Sequence, residues 1–533
     1  MTLSEAAPAP PPALTAATMC EALMTTAAQR PDQVALRSPD DAFSLTFAQL
    51  LRRLAATASL LHDRGLRKGD ALGLMMLNRP EFHVVDAAAM LLGATPFSLY
   101  NTSPAEQIAF VLGDAGSRLV VVEPRFADVV RQAAGDGVRV VELSELDGGD
   151  EDFDLEPHWR AVAPEDLLTL IYTSGTTGPP KGVELTHANM LAELRGVHAA
   201  VPLEGGGRWI SFLPSAHIAD RWGSHYSALM TYGHTVTPVA DATQVFAVVA
   251  QVRPTAFGGV PRVWEKLKAA LEASGAAELA PDELRARLGF DEARWLATGA
   301  APMPVEVLEF FAARGMLICE VWGMSETSCI VTTNRPGATK LGSVGQPLDG
   351  MELWIADDGE LLVRGPLLMA GYRNRPDLTA QAIDADGWLR TGDVGRIDDD
   401  GYLWIVDRKK ELIINAAGKN ISPANIEALL KSSGPLIGQA CVVGDRRPYI
   451  AALLVLDPDT DAGMDPADAD LVARVQAEVD AANAHLSRVE QVKRFRVLAA
   501  EWLPGGDELT PTMKLKRRPI AAKYAGEIDG LYA

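Results

Sequence analysis

Short apolar runs alternate with longer amphipathic stretches along most of the chain. The runs have the length and bounding residues of buried strands and fall at 71–76, 95–99, 119–122, 138–143, 167–172, 208–213 and 256–260. Between the runs, apolar residues recur at helical spacing, and Thr46 with Gln49 forms a capping-box pattern at one helix start. Strands that alternate with helices indicate an α/β fold of layered, mostly parallel sheets.

The pattern changes near residue 408, where the charge run Asp407–Glu411 separates two apolar strands. Beyond it a shorter α+β unit is predicted, with strands at 439–443, 450–456 and 492–498 and one amphipathic helix over 471–486. We therefore predict a large N-terminal domain at 18–407 and a small C-terminal domain at 408–533. Residues 1–17 are rich in Pro and Ala and are predicted to be disordered.

Composition narrows the class of protein. The chain has 533 residues, 48% of them hydrophobic and 22% charged, which is typical of a globular protein with a substantial core. The net charge of -21 disfavours nucleic acid as a partner and electrostatic attachment to an anionic membrane. Weak membrane association remains open, but no apolar run approaches the roughly 20 residues of a transmembrane segment.

Cysteine usage and the N-terminal sequence indicate a cytoplasmic protein. Cys20, Cys319, Cys329 and Cys441 lie far apart without C-x-x-C spacing, so they are predicted to be free thiols. No Lys or Arg precedes Arg30, which is untypical of a secretory signal. The sequence does not indicate an oligomeric state.

The stretch from Thr173 to Gly182 concentrates chemistry suited to phosphate. It follows an apolar strand and contains four hydroxyl residues, three glycines and Lys181. Glycines let backbone N–H groups turn toward an anion, and hydroxyls and an ammonium add donors. It is not a P-loop, because Pro180 precedes the lysine and a short strand, not a helix, follows it. The alternative is a surface turn without a ligand.

This stretch closely resembles the phosphate loop of the adenylate-forming superfamily, which includes acyl-CoA synthetases, luciferases and the adenylation domains of peptide synthetases. The resemblance extends over about residues 45–520, with the family's motifs in the family's order. It implies a large N-terminal domain followed by a small mobile one. It also implies that the loop residues bind phosphate, namely Thr173, Ser174, Gly175, Thr176, Thr177 and Lys181.

The stretch Trp322–Thr327 resembles a family motif in which an aromatic residue and Gly precede Thr or Ser and Glu. The resemblance implies that Glu326 holds Mg²⁺ bound to ATP, and carboxylate oxygens suit that cation. It implies that Ser325 contacts the α-phosphate and that Trp322 and Gly323 lie against adenine. The family usually has Tyr where this chain has Trp322.

Two further motifs resemble nucleotide-contacting segments. The stretch 298–302 matches the adenine-facing segment and contributes Gly299, Ala300 and Ala301. Asp393, at the end of the stretch 388–393, matches the aspartate that accepts both ribose hydroxyls, and Arg408 matches an arginine that touches the same ribose. A carboxylate that accepts from a diol is also used by dinucleotide-binding folds.

The remaining matches concern the second domain and the acid. Lys410 matches the hinge residue, Gly418 a loop that lines the CoA tunnel, and Lys514 the adenylation lysine. Met513 stands where most of the family has Gly, a form associated with long-chain acyl-CoA synthetases. His217, Gly258 and Gly259 match positions at the acyl pocket.

The resemblance implies an ATP-dependent carboxylic acid:CoA ligase, with ATP, CoA and a carboxylic acid as substrates and Mg²⁺ as the metal. The acid is expected to be a medium- or long-chain fatty acid. The alternatives are an aryl or steroid-derived acid as substrate, another fate of the adenylate such as luciferase-like oxygenation or loading of a free carrier protein, and a regulatory module that binds nucleotide without chemistry. The intact Lys514, Glu326 and Asp393 disfavour the last of these.

Overall fold

The computed structural model describes residues 8–173, 179–414, 420–461, 465–510 and 513–533. The strands are β1 Val34–Arg37, β2 Ser44–Thr46, β3 Ala71–Met75, β4 Thr95–Ser98, β5 Leu119–Val122, β6 Arg139–Glu142, β7 Leu167–Thr173, β8 Lys181–Thr186, β9 Arg208–Ser211, β10 Thr235–Pro238, β11 Ala256–Gly259, β12 Trp295–Thr298, β13 Ile318–Trp322, β14 Thr332–Thr333, β15 Gln346–Pro347, β16 Glu352–Ile355, β17 Glu360–Arg364, β18 Gly371–Tyr372, β19 Leu389–Ile397, β20 Leu403–Arg408, β21 Ile413–Ile414, β22 Asn420–Ile421, β23 Ile437–Val443, β24 Ile450–Leu456 and β25 Val492–Val497.

The α-helices lie between these strands and at both ends of the chain. They are α1 Met19–Gln29, α2 Phe47–Asp63, α3 Pro80–Leu91, α4 Ala105–Ala115, α5 Ala127–Ala134, α6 Glu156–Trp159, α7 His187–Ala200, α8 Ile218–Asp220, α9 Val245–Val252, α10 Pro261–Ala273, α11 Pro281–Leu288, α12 Val305–Ala312, α13 Pro376–Ala382, α14 Pro423–Ser432, α15 Pro458–Asp461, α16 Ala469–Ala484, α17 Arg517–Lys523 and α18 Ala525–Gly530. No helix in the described part of the chain is long and apolar enough to cross a membrane.

Three parallel arrangements form the centre of the N-terminal part. Strands β4-β3-β5-β6 are parallel throughout, β1, β10 and β9 are parallel to one another, and β11-β12-β13 form a third parallel set. The prediction of layered, mostly parallel sheets with helices is therefore confirmed. Two sheets depart from it, since β18-β8-β7 and β16-β17-β19-β20 are antiparallel.

The predicted capping box of α2 is present. Thr46 accepts a hydrogen bond from the Gln49 backbone N–H, and the Gln49 side chain accepts one from the Thr46 N–H. The two bonds satisfy donors that a helix N-terminus leaves unpaired. The local sequence was sufficient to place this helix start because both partners lie within four residues.

The prediction of disorder across residues 1–17 is wrong for residues 12–16. Pro12–Thr15 form a 3₁₀ turn in which Ala13 and Leu14 are buried. The guanidinium of Arg195 in α7 donates to the carbonyl oxygens of Leu14 and Ala16, both at 2.7 Å. A Pro/Ala-rich segment thus becomes ordered because a distant arginine satisfies its backbone, which composition alone does not show.

The charge run at 407–411 spans the transition to the C-terminal unit. Arg408 still pairs with Asp393 across β20 and β19. The carboxylate of Asp407, in contrast, accepts from the Ser422 hydroxyl at 2.6 Å and from the Ala424 N–H at 3.1 Å, at the start of α14. The C-terminal unit has a separate core around β23-β24-β25, α14 and α16.

A buried π-helix, Arg221–Thr231, follows the predicted His217 segment. Its first residue, Arg221, is fully buried and pairs with Asp86, which also accepts from His225 at 2.9 Å. The preceding Asp220 is buried too and accepts from the hydroxyls of Ser211 and Ser224 at 3.1 Å. Burial raises the pKa of Asp220 from 3.8 to about 7, although these hydroxyls oppose the shift.

This raised pKa predicts that the Asp220→Asn variant loses part of the pH dependence of stability. Between about pH 4 and pH 7 the folded protein holds a proton that the unfolded chain has released. Rising pH therefore favours unfolding there by up to about 1.4 kcal/mol per pH unit for one group. Denaturant unfolding of both proteins from pH 4 to pH 8 measures the difference.

The exposed Asp32→Asn variant is the control and should follow the wild type. An Asp220→Asn variant with the same stability profile as the wild type from pH 4 to pH 8 would contradict a protonated Asp220.

Candidate active site

Strands β7 and β8 form a hairpin that carries both ends of the predicted phosphate loop. Thr173, the last residue of β7, pairs with Lys181, the first residue of β8, and its hydroxyl donates to the Lys181 carbonyl at 3.5 Å. The predicted Ser174, Gly175, Thr176 and Thr177 lie outside the described residues. The expectation that this loop joins two strands is confirmed, and its two ends are held together by the ladder.

A tyrosine that the sequence analysis missed connects the lysine to the predicted metal ligand. The Nζ of Lys181 lies 4.1 Å from the ring centroid of Tyr372, and the Tyr372 hydroxyl donates to Oε1 of Glu326 at 2.8 Å. Burial lowers the pKa of Lys181, and Glu326 opposes this shift. Burial also raises the pKa of Tyr372, so its hydroxyl stays a donor.

The position of Tyr372 follows from strand pairing. β18 joins the edge of β8 with Tyr372 opposite Val183 and Gly371 opposite Glu184. The sequence around Tyr372 has no phosphate-site pattern, and only a correct prediction of this register would have identified it.

The predicted metal ligand is a single carboxylate. No group of three or more His, Cys, Asp or Glu that could hold a metal occurs among the described residues. Glu326 has 7% of its surface exposed. One carboxylate is enough for Mg²⁺, because this ion keeps waters and phosphate oxygens as its other ligands.

The predicted ribose-binding residues form a second cluster. Oδ1 of Asp393 lies 2.8 Å from Nε of Arg408, and Oδ2 accepts from Nε1 of Trp322 at 2.9 Å. Arg408 also donates to the carbonyl of Thr391 at 2.9 Å. Burial raises the pKa of Asp393. The positive charge of Arg408 and, to a smaller extent, the hydrogen bond from Trp322 oppose this shift. Each carboxylate oxygen has a second lone pair, so the group can still accept from a diol.

The strand ends β12 and β13 place the predicted adenine segments side by side. Gly299, Ala300 and Ala301 form the turn after β12, with Ala300 at a φ of 70°. Gly323 follows β13, and a Cβ there would lie 1.8 Å from the carbonyl oxygen of Cys329. Only glycine fits that position, so the backbone crossing alone accounts for it. Ser325 is buried in the next turn.

Lys514, in the C-terminal unit, interacts through its charge with Asp393, Glu326 and Arg408. Its N–H donates to the Thr510 hydroxyl at 3.0 Å, and its carbonyl accepts from the Thr510 N–H at 2.8 Å. Arg517 anchors the segment by donating to both oxygens of Glu427, at 2.6 and 2.7 Å. The Lys514 side chain is exposed as a whole. Protein groups around its ammonium nevertheless displace water and lower its pKa, and the charge of Arg408 lowers it further. Asp393 and Glu326 oppose this shift, so all four charges interact.

The residues predicted at the acyl pocket lie on neighbouring elements. Burial and the ammonium of Lys514 lower the pKa of His217 to about 4, and its Nδ1 accepts from the Ala219 N–H at 3.1 Å. Gly258 and Gly259 end β11, and a Cβ at Gly258 would meet nothing within 4 Å. The open space at Gly258 and the effect of Lys514 on the pKa of His217 are compatible with the predicted acyl pocket.

The predicted hinge residues differ in surroundings. Lys410 is exposed. Burial lowers the pKa of Lys181, and the charge of Lys410 lowers it further. Lys409, in contrast, is paired with Asp358 at 2.5 Å and with Glu360 at 2.9 Å. Gly418 lies outside the described residues.

Comparison with known proteins agrees with this arrangement. The model of the AMP-binding enzyme family matches residues 23–373, and that of the AMP-binding enzyme C-terminal domain matches residues 410–533. The chain therefore belongs to the AMP-binding enzyme family. The predicted resemblance to adenylate-forming enzymes is confirmed.

Relatives within the family include several fatty-acid–CoA ligases. A putative fatty-acid–CoA ligase, fadD11, of Mycobacterium tuberculosis is 51% identical over 72% of this chain and 76% of its own length. The long-chain-fatty-acid–CoA ligase FadD15 of Mycobacterium bovis is 34% identical over 92% of both chains. The structure of O-succinylbenzoate coenzyme A synthetase from Bacillus subtilis with AMP is 27% identical, with a TM-score of 0.76 over 93% of this chain and 97% of that one.

The hydrogen bond between Trp322 and Asp393 predicts a nucleotide-binding defect in a Trp322→Phe variant. The variant keeps a ring and removes the donor to a carboxylate that we expect to bind ribose. The affinity for AMP should fall roughly three- to tenfold, the usual range for one such hydrogen bond. Isothermal titration calorimetry with AMP measures this.

A Trp404→Phe variant is a matched control, since Nε1 of Trp404 donates to Asp398 at 3.1 Å on the same sheet. It should bind AMP like the wild type. Wild-type affinity in the Trp322→Phe variant would exclude this bond from nucleotide binding.

Proposed function

We propose that this protein is an AMP-forming fatty-acid–CoA ligase. The observation that carries the proposal is the placement of Asp393 against Arg408 at 2.8 Å and Trp322 at 2.9 Å, with the charge of Lys514 acting on Asp393 and Arg408. Family membership and the fatty-acid–CoA ligases among the relatives support the same activity.

The first half-reaction joins the acid to the nucleotide. A carboxylate oxygen of the acid attacks the α-phosphorus of ATP, an acyl–O–P bond forms, the bond to the β-phosphate oxygen breaks, and pyrophosphate leaves. Negative charge grows on the phosphate oxygens. The ammonium groups of Lys181 and Lys514 are suited to stabilise this charge, and many enzymes gain most of their rate enhancement from charged groups held in place in this way.

The roles of the remaining residues follow from their partners. Asp393 would accept the ribose hydroxyls, held in place by Trp322 and Arg408. Glu326, oriented by the Tyr372 hydroxyl, would supply one carboxylate ligand to Mg²⁺. Bound Mg²⁺ would offset the charge of the ATP phosphates.

The second half-reaction transfers the acyl group to CoA. The CoA sulfur attacks the acyl carbon, a thioester bond forms, the bond between the acyl carbon and the phosphate oxygen breaks, and AMP leaves with the electron pair. We propose that the C-terminal unit, residues 408–533, rotates about Lys410 between the steps, which withdraws Lys514 and brings Gly418 in. Two sites assembled in turn by one hinge are a known way to separate two reactions.

We place the enzyme in the cytoplasm. Cys20, Cys319, Cys329 and Cys441 are free, and burial raises the pKa of the Cys20, Cys319 and Cys441 thiols. Buried, protonated thiols suit a reducing compartment.

Lys514→Ala and Lys410→Pro are predicted to separate the half-reactions. Lys514→Ala should slow ATP–pyrophosphate exchange by about 10²-fold or more, because one charge-stabilising donor is lost. It should leave thioester formation from supplied acyl-adenylate nearly intact. Lys410→Pro should do the reverse, since proline fixes φ at the hinge. Exchange assays and single-turnover thioester assays measure the two steps.

Lys410→Ala is the matched control for the hinge, because it removes the charge and keeps the backbone free. It should retain both steps. Equal loss of both half-reactions in Lys514→Ala and Lys410→Pro would rule out the alternation of the two sites.

A panel of acids is predicted to give a clear optimum at octanoate or palmitate. The panel contains acetate, octanoate, palmitate, benzoate and a steroid side-chain acid, assayed with ATP, Mg²⁺ and CoA for thioester and pyrophosphate. A long apolar acid should gain affinity with each buried methylene, about 0.8 kcal/mol each. The open space beside Gly258 is where we expect the chain to enter.

The other results identify the alternatives. An optimum at benzoate or the steroid acid would replace the fatty acid as substrate. Pyrophosphate release without thioester would indicate a carrier protein as acceptor. AMP binding without turnover would indicate a regulatory module.

A further inference from the structure

We infer that an ion pair between Arg262 and Asp457 is the latch that positions Lys514 in the cleft. Arg262 belongs to the large N-terminal part and Asp457 to the C-terminal unit, and the guanidinium Nη2 contacts the carboxylate Oδ2 directly. Arg262 is then a positioning residue for the first half-reaction, an inference that rests on the proposed function. None of the motif matches gives Arg262 a role.

The N-terminal half of the latch is rigid. Arg262 is the second residue of α10, which begins at Pro261, two residues after the glycine strand β11. Its Nη1 also lies 3.4 Å from Oε2 of Glu265, whose side chain is 5% exposed. The guanidinium therefore lies between two carboxylates, one from each part of the molecule. Arg262 thus lies in α10, the helix that directly follows Gly258 and Gly259 of the predicted acyl pocket.

The C-terminal half is equally fixed. Asp457 follows β24, and its N–H donates to the Leu436 carbonyl at 2.8 Å while its carbonyl accepts from the Thr460 N–H at 3.0 Å. Its side chain is 8% exposed. β24 is the central strand of β23-β24-β25. An ion pair at Asp457 therefore restrains the position of this sheet relative to the N-terminal part.

The same sheet carries Lys514. Leu498, just after β25, donates its N–H to the Leu454 carbonyl at 2.9 Å, and Arg517 ties the lysine segment to Glu427 in α14. A second contact lies in this connection, since a Cβ at Gly505 would lie 2.7 Å from the Thr102 hydroxyl oxygen of the N-terminal part. The contacts at Asp457 and at Gly505 thus join the C-terminal unit to the N-terminal part on both sides of the connection that leads to Lys514.

Removing Arg262 should act strongly against this orientation. It removes the cation that lies between the carboxylates of Asp457 and Glu265, so in this orientation the two like charges repel each other. In an orientation of the C-terminal unit that moves Asp457 away from Glu265, the variant avoids this unfavourable interaction. The loss should therefore shift the population away from the state in which Lys514 is in the cleft, without changing Lys514 or the nucleotide ligands.

The test measures both half-reactions in Arg262→Ala and in the charge-reversed double variant Arg262→Asp, Asp457→Arg. Arg262→Ala should lower the maximal rate of ATP–pyrophosphate exchange about tenfold, the effect of a tenfold shift in population. It should leave thioester formation from supplied acyl-adenylate undiminished. The double variant should recover most of the exchange rate, whereas the Arg262→Asp variant alone should not.

Two controls separate the latch from other roles. His485→Ala removes a different pair between the two parts, an exposed contact with Glu306 at 3.6 Å, and should leave exchange unchanged.

A direct role of Arg262 in binding the acid would overturn the proposal. In that case Arg262→Ala would raise the KM for the acid, and the charge-reversed double variant would not restore it. Equal slowing of both half-reactions, or no slowing in a variant that melts like the wild type, would also overturn it. Absence of exchange in the wild type would instead refute the proposed function.

Discussion

The carboxylate of Asp393 is the group on which the arrangement of the cleft depends. It lies in β19, and its two oxygens bind Trp322 from β13 and Arg408 from β20. A buried carboxylate without such partners would take up a proton, and its pKa is already raised by burial. The partners therefore keep it able to accept hydrogen bonds. They also connect the parallel sheet to the antiparallel one at the point where the C-terminal unit begins.

Lys181, Tyr372 and Glu326 show how one ring can serve two charged groups. The ammonium lies over the ring, and the hydroxyl of the same ring donates to the carboxylate. One side chain thus holds a cation and an anion apart while both stay close to the predicted phosphate loop. Direct pairing would neutralise the two charges and leave less field for a ligand. The tyrosine keeps both charges available.

The ion pairs Arg262–Asp457 and His485–Glu306 join the two parts of the molecule, and each part has its own apolar core. Arg262 with Asp457, and the ammonium of Lys514 among Asp393, Glu326 and Arg408, are charge interactions that water can replace when they separate. An apolar interface of the same size would resist separation, because exposing it to water is costly. These polar contacts therefore suit the rotation that we propose for the C-terminal unit.

Sequence by itself determined the alternation of strands and helices, the capped start of α2 and the identity of the family. These depend on periodicity and on motifs whose residues are close in the chain. Tertiary structure decided the rest, namely the order at residues 12–16, the π-helix after Asp220, and the roles of Tyr372, Trp322 and Arg262 as partners of other site residues. Each of these depends on a contact between residues far apart in sequence, since strand register and domain placement, and not local propensity, bring such residues together.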